Sequence, residues 1–190
     1  MRKLLFTLIT LFSIGLIACE NDDNKNNPPN NSDFGEITLK VTGDLNANFS
    51  GMADFHLLKI LNTESWEVNG HNYNPQTFSI TISDIAVNGA SQRPKPGTYT
   101  IGSSTNADFS VDLTYIPDGD FINTVEYSTS LLADLAEPAE NRGTLTITSS
   151  NEDTVKGHFE CTAFRIDDDL NIVETIEISG EFTANKRRFD

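Results

Sequence analysis

From Val155 to Ala163 every second residue is apolar or small (Val155, Gly157, Phe159, Cys161, Ala163), and Lys156, His158, Glu160 and Thr162 stand between them. A period of two is the repeat of a β-strand with one dry and one wet face; a helix would scatter these residues around its circumference. The period recurs along the chain. Ile37, Leu39 and Val41 alternate with Thr38 and Lys40, Phe78, Ile80 and Ile82 with Ser79 and Thr81, and Val111, Leu113 and Tyr115 with Asp112 and Thr114. Leu145 and Ile147 sit among threonines, and Ile176, Ile178, Gly180 and Phe182 share a face. Each run has a polar partner face, as in an antiparallel sheet covered on one side. Turn formers separate the runs: "VNGHN", "QRPKPG", "PDGD" and "AENRG". Only "SLLADLAEP" offers a helix, stopped before Pro138. The expectation is an all-β domain of about eight to ten strands with at most one short helix. So many strands must fold over as an antiparallel β-sandwich or curl into a barrel-like sheet.

The strands begin near residue 34, and what precedes them has a different character. Arg2 and Lys3 make a positive start, and Leu4 to Ala18 is mostly Leu, Ile, Phe and Thr. As a helix that run would reach about 22 Å, short of the roughly 30 Å hydrocarbon core, so it reads as a secretory signal rather than a span. Its end, Leu16-Ile17-Ala18-Cys19, resembles the lipobox of bacterial lipoproteins. The resemblance implies acylation of Cys19 and cleavage just before it. It also implies two or three acyl chains, which hold a protein to a bilayer where one chain holds only marginally. Glu20, Asn21, Asp22, Asp23 and Asn24 resemble the acidic tract with which Bacteroidota-type lipoproteins reach the outer face of the outer membrane. The other reading of that tract is the start of a solvated linker, which leaves a periplasmic location open. Glu20 to Ser32 is rich in Asn, holds Pro28 and Pro29, and has no apolar period. It should act as a flexible tether with a span of roughly 20 Å. The expected organisation is thus a signal at 1–18, a tether at 19–33, one β domain at 34–185 and a basic tail at 186–190.

A second resemblance covers roughly Phe78 to Ala184. "GTYTIG", "GTLTITSS", "KGHFECTA" and "EISGEFTA" follow in order and look like an all-β domain of unknown function common in Bacteroidota-type lipoproteins. Its mark is a late strand pair with Gly-x-Phe in each strand, here Gly157-His158-Phe159 and Gly180-Glu181-Phe182. The resemblance implies an antiparallel β fold and no activity. Glycines so placed would serve close backbone approach or a bend of the sheet.

Charge narrows the partners. The chain has 13 basic and 28 acidic residues. Without Arg2 and Lys3 the mature chain keeps 11 against 28, a formal charge of −17. Nucleic acid and other polyanions are therefore not expected as partners. The expected partners are the membrane, through the acyl anchor, and a glycan or a protein. Once Cys19 is lipidated Cys161 is alone, so no intrachain disulfide can form. Its phase puts it in the core as an inert thiol.

No catalytic or cofactor motif is present, and no cofactor is expected. "GSSTN" lacks the final glycine of Gly-x-Ser-x-Gly, and His56, His71 and His158 have no metal-binding spacing. The candidate ligand site is Trp66, His71 and Tyr73. Asn69-Gly70 is the dipeptide of a type I′ hairpin turn, and a turn there sets Trp66 against Tyr73 and Val68 against His71 on one side. That side could stack a sugar; it could also face the core, the commoner use of large aromatics. Weak calcium candidates are Asp118, Asp120 and Asn123 in "PDGDFIN", with similar acidic turns at "GDLNAN" and "DDDLN". Calcium wants six to eight oxygens, and Asp and Asn also build turns on their own account. Asp153-Thr154-Val155 resembles a short O-glycosylation site of Bacteroidota-type secreted proteins. The expected role is an envelope lipoprotein acting by binding, adhesion or structure without catalysis. The alternatives are a carbohydrate- or small-ligand-binding module and a carboxylate-dependent hydrolase.

Overall fold

The computed structural model describes residues 33–60, 63–84, 93–103, 107–130 and 141–187. The signal, Cys19, nearly all of the tether and the helix expected after Ser130 lie outside them. Ten strands run through the described residues: β1 (Gly35–Gly43), β2 (Ala47–Ile60), β3 (Thr63–His71), β4 (Phe78–Asp84), β5 (Gly97–Ile101), β6 (Phe109–Tyr115), β7 (Val125–Ser128), β8 (Gly143–Ser150), β9 (Thr154–Ile166) and β10 (Ile172–Lys186). Among the same residues no helix is long and apolar enough to cross a membrane. The all-β expectation holds, in the form of one curled sheet.

The ladders close a circuit: β1 pairs β2, then β3, β4 and β6 follow, β6 meets β5, β5 pairs β8, and β9 and β10 lead back to β1. Most pairs are antiparallel. The closure is uneven, which separates it from a regular barrel. β5 and β6 share one parallel bridge, Ile101 to Phe109, and β7 spans the gap by pairing β6 along four residues and touching β9 at Ser128–Phe164. On the other side, β1 starts at Gly35, and just beyond it Asn185 and Lys186 of β10 pair directly with Asp54 and Phe55 of β2.

Strand direction sorts the connections onto two rims. The β1–β2, β3–β4, β6–β7 and β9–β10 turns lie at one, the turn rim. Gly35, Lys186 and the β2–β3 and β8–β9 connections lie at the other, the chain-end rim.

The alternating residues fill the inside. Ile37, Leu39 and Val41, Phe78, Ile80 and Ile82, Val155, Phe159 and Cys161, and Ile176, Ile178 and Phe182 are all buried in one cluster. The two Gly-x-Phe segments meet reciprocally. Gly157 stands opposite Phe182, and Gly180 opposite Phe159. A Cβ on Gly157 would come 2.9 Å from Phe182 Cζ, and one on Gly180 would come 2.8 Å from Phe159 Cε1 and 2.7 Å from Leu39 Cδ2. Each ring thus lies over the other strand's missing side chain, which is the close approach expected of these glycines.

The hairpin expected at Asn69-Gly70 is corrected. Both residues lie inside β3, where Asn69 pairs Asp54 and Thr81, and Gly70 pairs Ala53 and Ile80. Gly70 points inward, and its Cβ would meet Ile37 and Ile80 side-chain carbons at 2.9 Å. It is glycine for want of room, so the dipeptide's turn preference is overridden by packing. The chain turns later, around Asn72, whose Oδ1 accepts from Thr77 N (2.8 Å) and Phe78 N (3.2 Å). At the C-terminal end, β10 runs to Lys186, and Arg187 N donates to Phe55 O at 2.9 Å, so the basic segment begins as part of the sheet.

Candidate functional site

The displaced turn divides the aromatic candidate. In β3, Trp66 and Val68 face inward with Gly70, while Glu67, Asn69 and His71 fall on the outer face. A strand side alternates at every residue, so the lost turn moves His71 and Tyr73 to the side away from Trp66. Trp66 is 2% exposed and packs against Phe55 and Phe109, with ring centroids 5.8 and 6.4 Å away. Its backbone N donates to Asp84 Oδ1 at 2.7 Å. It is a core residue and presents no surface to a sugar.

His71 and Tyr73 stay together outside, edge to face at 4.6 Å, and Phe34 closes on His71 from the other side at 6.3 Å. His71 also feels the charge of a polar group that sequence spacing does not reveal. Asp54, in mid-β2, is 1% exposed although it faces outward between buried Ala53 and Phe55. Neither of its carboxylate oxygens meets a hydrogen-bond donor among the described residues. Two basic side chains approach it: His56, with Nδ1 at 3.6 Å, and Arg187 at 4.0 Å. Thr81 donates to Asn69 Oδ1 at 3.0 Å, which turns the Asn69 amide nitrogen toward His56 Nδ1 at 3.3 Å. The other ring nitrogen of His56, Nε2, faces Glu67 Oε2 at 3.7 Å. Burial lowers the His71 pKa below its ordinary value, with Asp54 pulling it up and Arg187 pushing it down. Three separate segments meet here: β2, β3 and the residue after β10. The cluster therefore latches the end of the described chain onto the β2–β3 hairpin.

In the acidic turns, Asp120 and Asp167 use their carboxylates within their own turns, and Asp44 uses its carboxylate on β10. Asp120 Oδ1 accepts from Ile122 N (2.9 Å) and Oδ2 from the Asn123 amide (2.7 Å). Asp167 Oδ1 accepts from Asp169 N (3.0 Å) and Asn171 N (2.8 Å), and Asp44 Oδ2 from Thr175 N (2.7 Å). Hydrogen bonds from Asn171, its backbone N–H foremost, hold the Asp167 carboxyl below the usual range. Asp118 is exposed with φ of 51°. Among the described residues no three His, Cys, Asp or Glu side chains are placed to hold a metal.

An open groove of about 570 Å³ crosses the outer face of β2, β1, β10, β9 and β8. Lys40, Asn48, Ser50, His158, Glu160 and Glu181 give it a polar lining. Glu160 faces Ser179 and Glu181 faces His158 across the β9–β10 ladder, so the two carboxylates are diagonal neighbours. His158 is exposed and Cys161 buried, as their phases require. Ser103 of "GSSTN" is buried. The Thr154 hydroxyl lies 3.3 Å from Asn185 Oδ1 at the chain-end rim.

The turn rim carries most of the exposed apolar surface. Of the seven large apolar side chains that stand exposed among the described residues, six are here: Tyr73, Phe121, Ile122, Leu170, Ile172 and Val173. Ile122 is 91% exposed. Only Leu57, on the β2–β3 hairpin, lies elsewhere. No family model matches the chain, and no curated protein and no solved structure matches it either.

Proposed function

We propose that this chain is a lipid-anchored lipoprotein of the outer membrane, displayed on its outer face, and that it acts by binding rather than catalysis. One observation carries the reading. Gly35 and Lys186 leave the sheet at the same rim, and six exposed apolar side chains gather at the other. An acyl anchor at Cys19 joined through a tether to Gly35 would turn the chain-end rim toward the bilayer. The turn rim would then meet whatever approaches from outside, which suits adhesion or an envelope scaffold. Mass spectrometry of the mature chain tests the anchor: Cys19 should be N-terminal and carry acyl chains, and Cys19→Ala should abolish both. Protease shaving of intact cells tests display, since a protected domain would place the protein on the periplasmic face.

The polar groove supports a second reading, a small-ligand or carbohydrate site. Lys40, Glu160, Glu181 and the hydroxyls of Thr38, Ser50 and Thr144 offer donors and acceptors across a shallow surface. Glycan-array binding lost in Lys40→Ala would support it. Array signal that survives the substitution would remove the groove from consideration.

A further inference from the structure

We propose that the turn rim is a docking surface for a protein partner that presents apolar side chains among basic ones. This rests on the display reading above, which frees the rim, and names the chemistry of what it meets.

Four turns build the rim, and contacts tie them into one unit. Gly119 packs on Pro75, where a Cβ would come to 2.6 Å, joining the 116–124 turn to the 72–77 turn. Tyr127, just after the 116–124 turn, donates to Glu174 Oε2 at 2.5 Å at the start of β10. Asp44 binds Thr175 in both directions, its N donating to Thr175 O at 3.1 Å and its carboxylate accepting in return. The Asp120 and Asp167 carboxylates close the turns that lift Phe121, Ile122 and Leu170. These side chains are therefore held out by backbone that is already ordered, so a partner would lose little loop entropy in binding them.

Leu170 combines exposure with a backbone conformation unfavourable to leucine. Its φ is 64°, in the left-handed region that favours glycine or asparagine, and its side chain is 51% exposed. A leucine there strains the backbone and buries little in return. Ile122, at the tip of the neighbouring turn, is 91% exposed and buries almost nothing in the fold.

Charge selects the occupant. The four turns contain Asp44, Asp118, Asp120, Asp167, Asp168 and Asp169 and not one Lys or Arg. Anionic lipid is repelled by such a rim, and so is the same rim of a second copy. A protein surface with apolar residues set among Lys and Arg is attracted, faster at low salt, and its apolar residues fit the exposed knobs.

The test pans a phage-displayed random peptide library on the purified full-length mature protein in detergent. Peptides alternating Lys or Arg with aromatic or aliphatic residues should be enriched. One such synthetic peptide should bind at least about tenfold more weakly to Ile122→Ser/Leu170→Asn and to Asp168→Lys/Asp169→Lys, and its affinity should fall as NaCl rises from about 0.05 to about 0.5 M. Both Ile122 and Leu170 are exposed and asparagine accepts the Leu170 backbone, so an unchanged melting temperature will show that this variant is folded. Enrichment without the basic–apolar pattern, or equal binding by the variants, overturns the proposal. So does phosphatidylcholine-vesicle binding that the Ile122/Leu170 variant loses, which would make the rim a lipid surface. A dimer seen by sedimentation and lost in that variant would assign the rim to a second copy. The mass at residue 19 is measured separately, so a missing anchor and a rim that binds nothing are distinct failures.

Discussion

Cys161 and His71 sit on opposite faces of the sheet, and their environments predict opposite kinds of behaviour. Cys161 points into the core from mid-β9, and burial, with the Glu177 charge nearby, pushes its thiol up to about 12. The thiolate is the nucleophile, so the native protein should leave Ellman's reagent unreacted over hours and react fully once unfolded in denaturant. Rapid reaction in native buffer would contradict the packing described for β9. His71 is half-buried, and burial depresses its pKa despite Asp54. A histidine whose folded pKa is lowered contributes stability above its unfolded pKa of about 6.5 and loses it as pH falls, because the unfolded chain takes the proton first. The melting temperature should therefore drop between about pH 7 and pH 5, and His71→Gln should make that drop shallower. An identical slope in the variant would remove His71 as its source.

At the scale of elements, the reciprocal Gly-x-Phe pair of β9 and β10 makes the sharper prediction. A methyl at Gly180 would meet Phe159, Leu39 and the Thr38 carbonyl together, all within 2.9 Å. Gly180→Ala should cost about 1–3 kcal/mol as the core is overpacked, read as a lower denaturant midpoint with unchanged slope. Ser179→Ala next to it, on the exposed face, should stay within about 0.5 kcal/mol. Strands such as β1, β4, β8 and β9 were legible because one face is dry and the other wet. β2 was not, since Ala53, Asp54 and Phe55 are buried in succession and the period of two disappears. Asn69-Gly70 misled because a dipeptide carries a turn preference of its own, while the need for a residue without Cβ between Ile37 and Ile80 exists only in three dimensions. The Asp54 cluster escaped for a related reason: its members come from β2, β3 and residue 187, and topology alone brings them together. Membership of the turn rim is likewise a property of strand direction, although each of its apolar and acidic residues was visible in the sequence.

For the molecule as a whole, the uneven closure decides where it should open. β9, β10, β1 and β2 pair along most of their lengths, whereas the circuit passes from β6 to β5, and from β7 to β9, through single bridges. Side chains reinforce this seam. Thr129 is fully buried, and its hydroxyl accepts from Val111 N at 2.9 Å and donates to Gly102 O at 3.3 Å. Arg142 reaches the Thr129 carbonyl with its guanidinium, which lies 4.9 Å over the Phe164 ring, while its backbone joins Ile101 to Thr162. One threonine thus connects β6, the end of β5 and the start of β8. Thr129→Val keeps the shape but leaves the Val111 N–H without its acceptor, so it should cost about 1–3 kcal/mol. Native-state hydrogen exchange should show the amides of β5 and β7 opening at lower free energy than those of β9 and β10, and Thr129→Val should widen that gap. The reason is that β9, β10 and β1 are paired along both edges for most of their lengths, whereas β5 and β7 are each paired along one edge, to β8 and β6, and held on the other by a single bridge. Equal protection throughout would mean that the sheet opens only as a unit, with the seam as strong as its longest ladder.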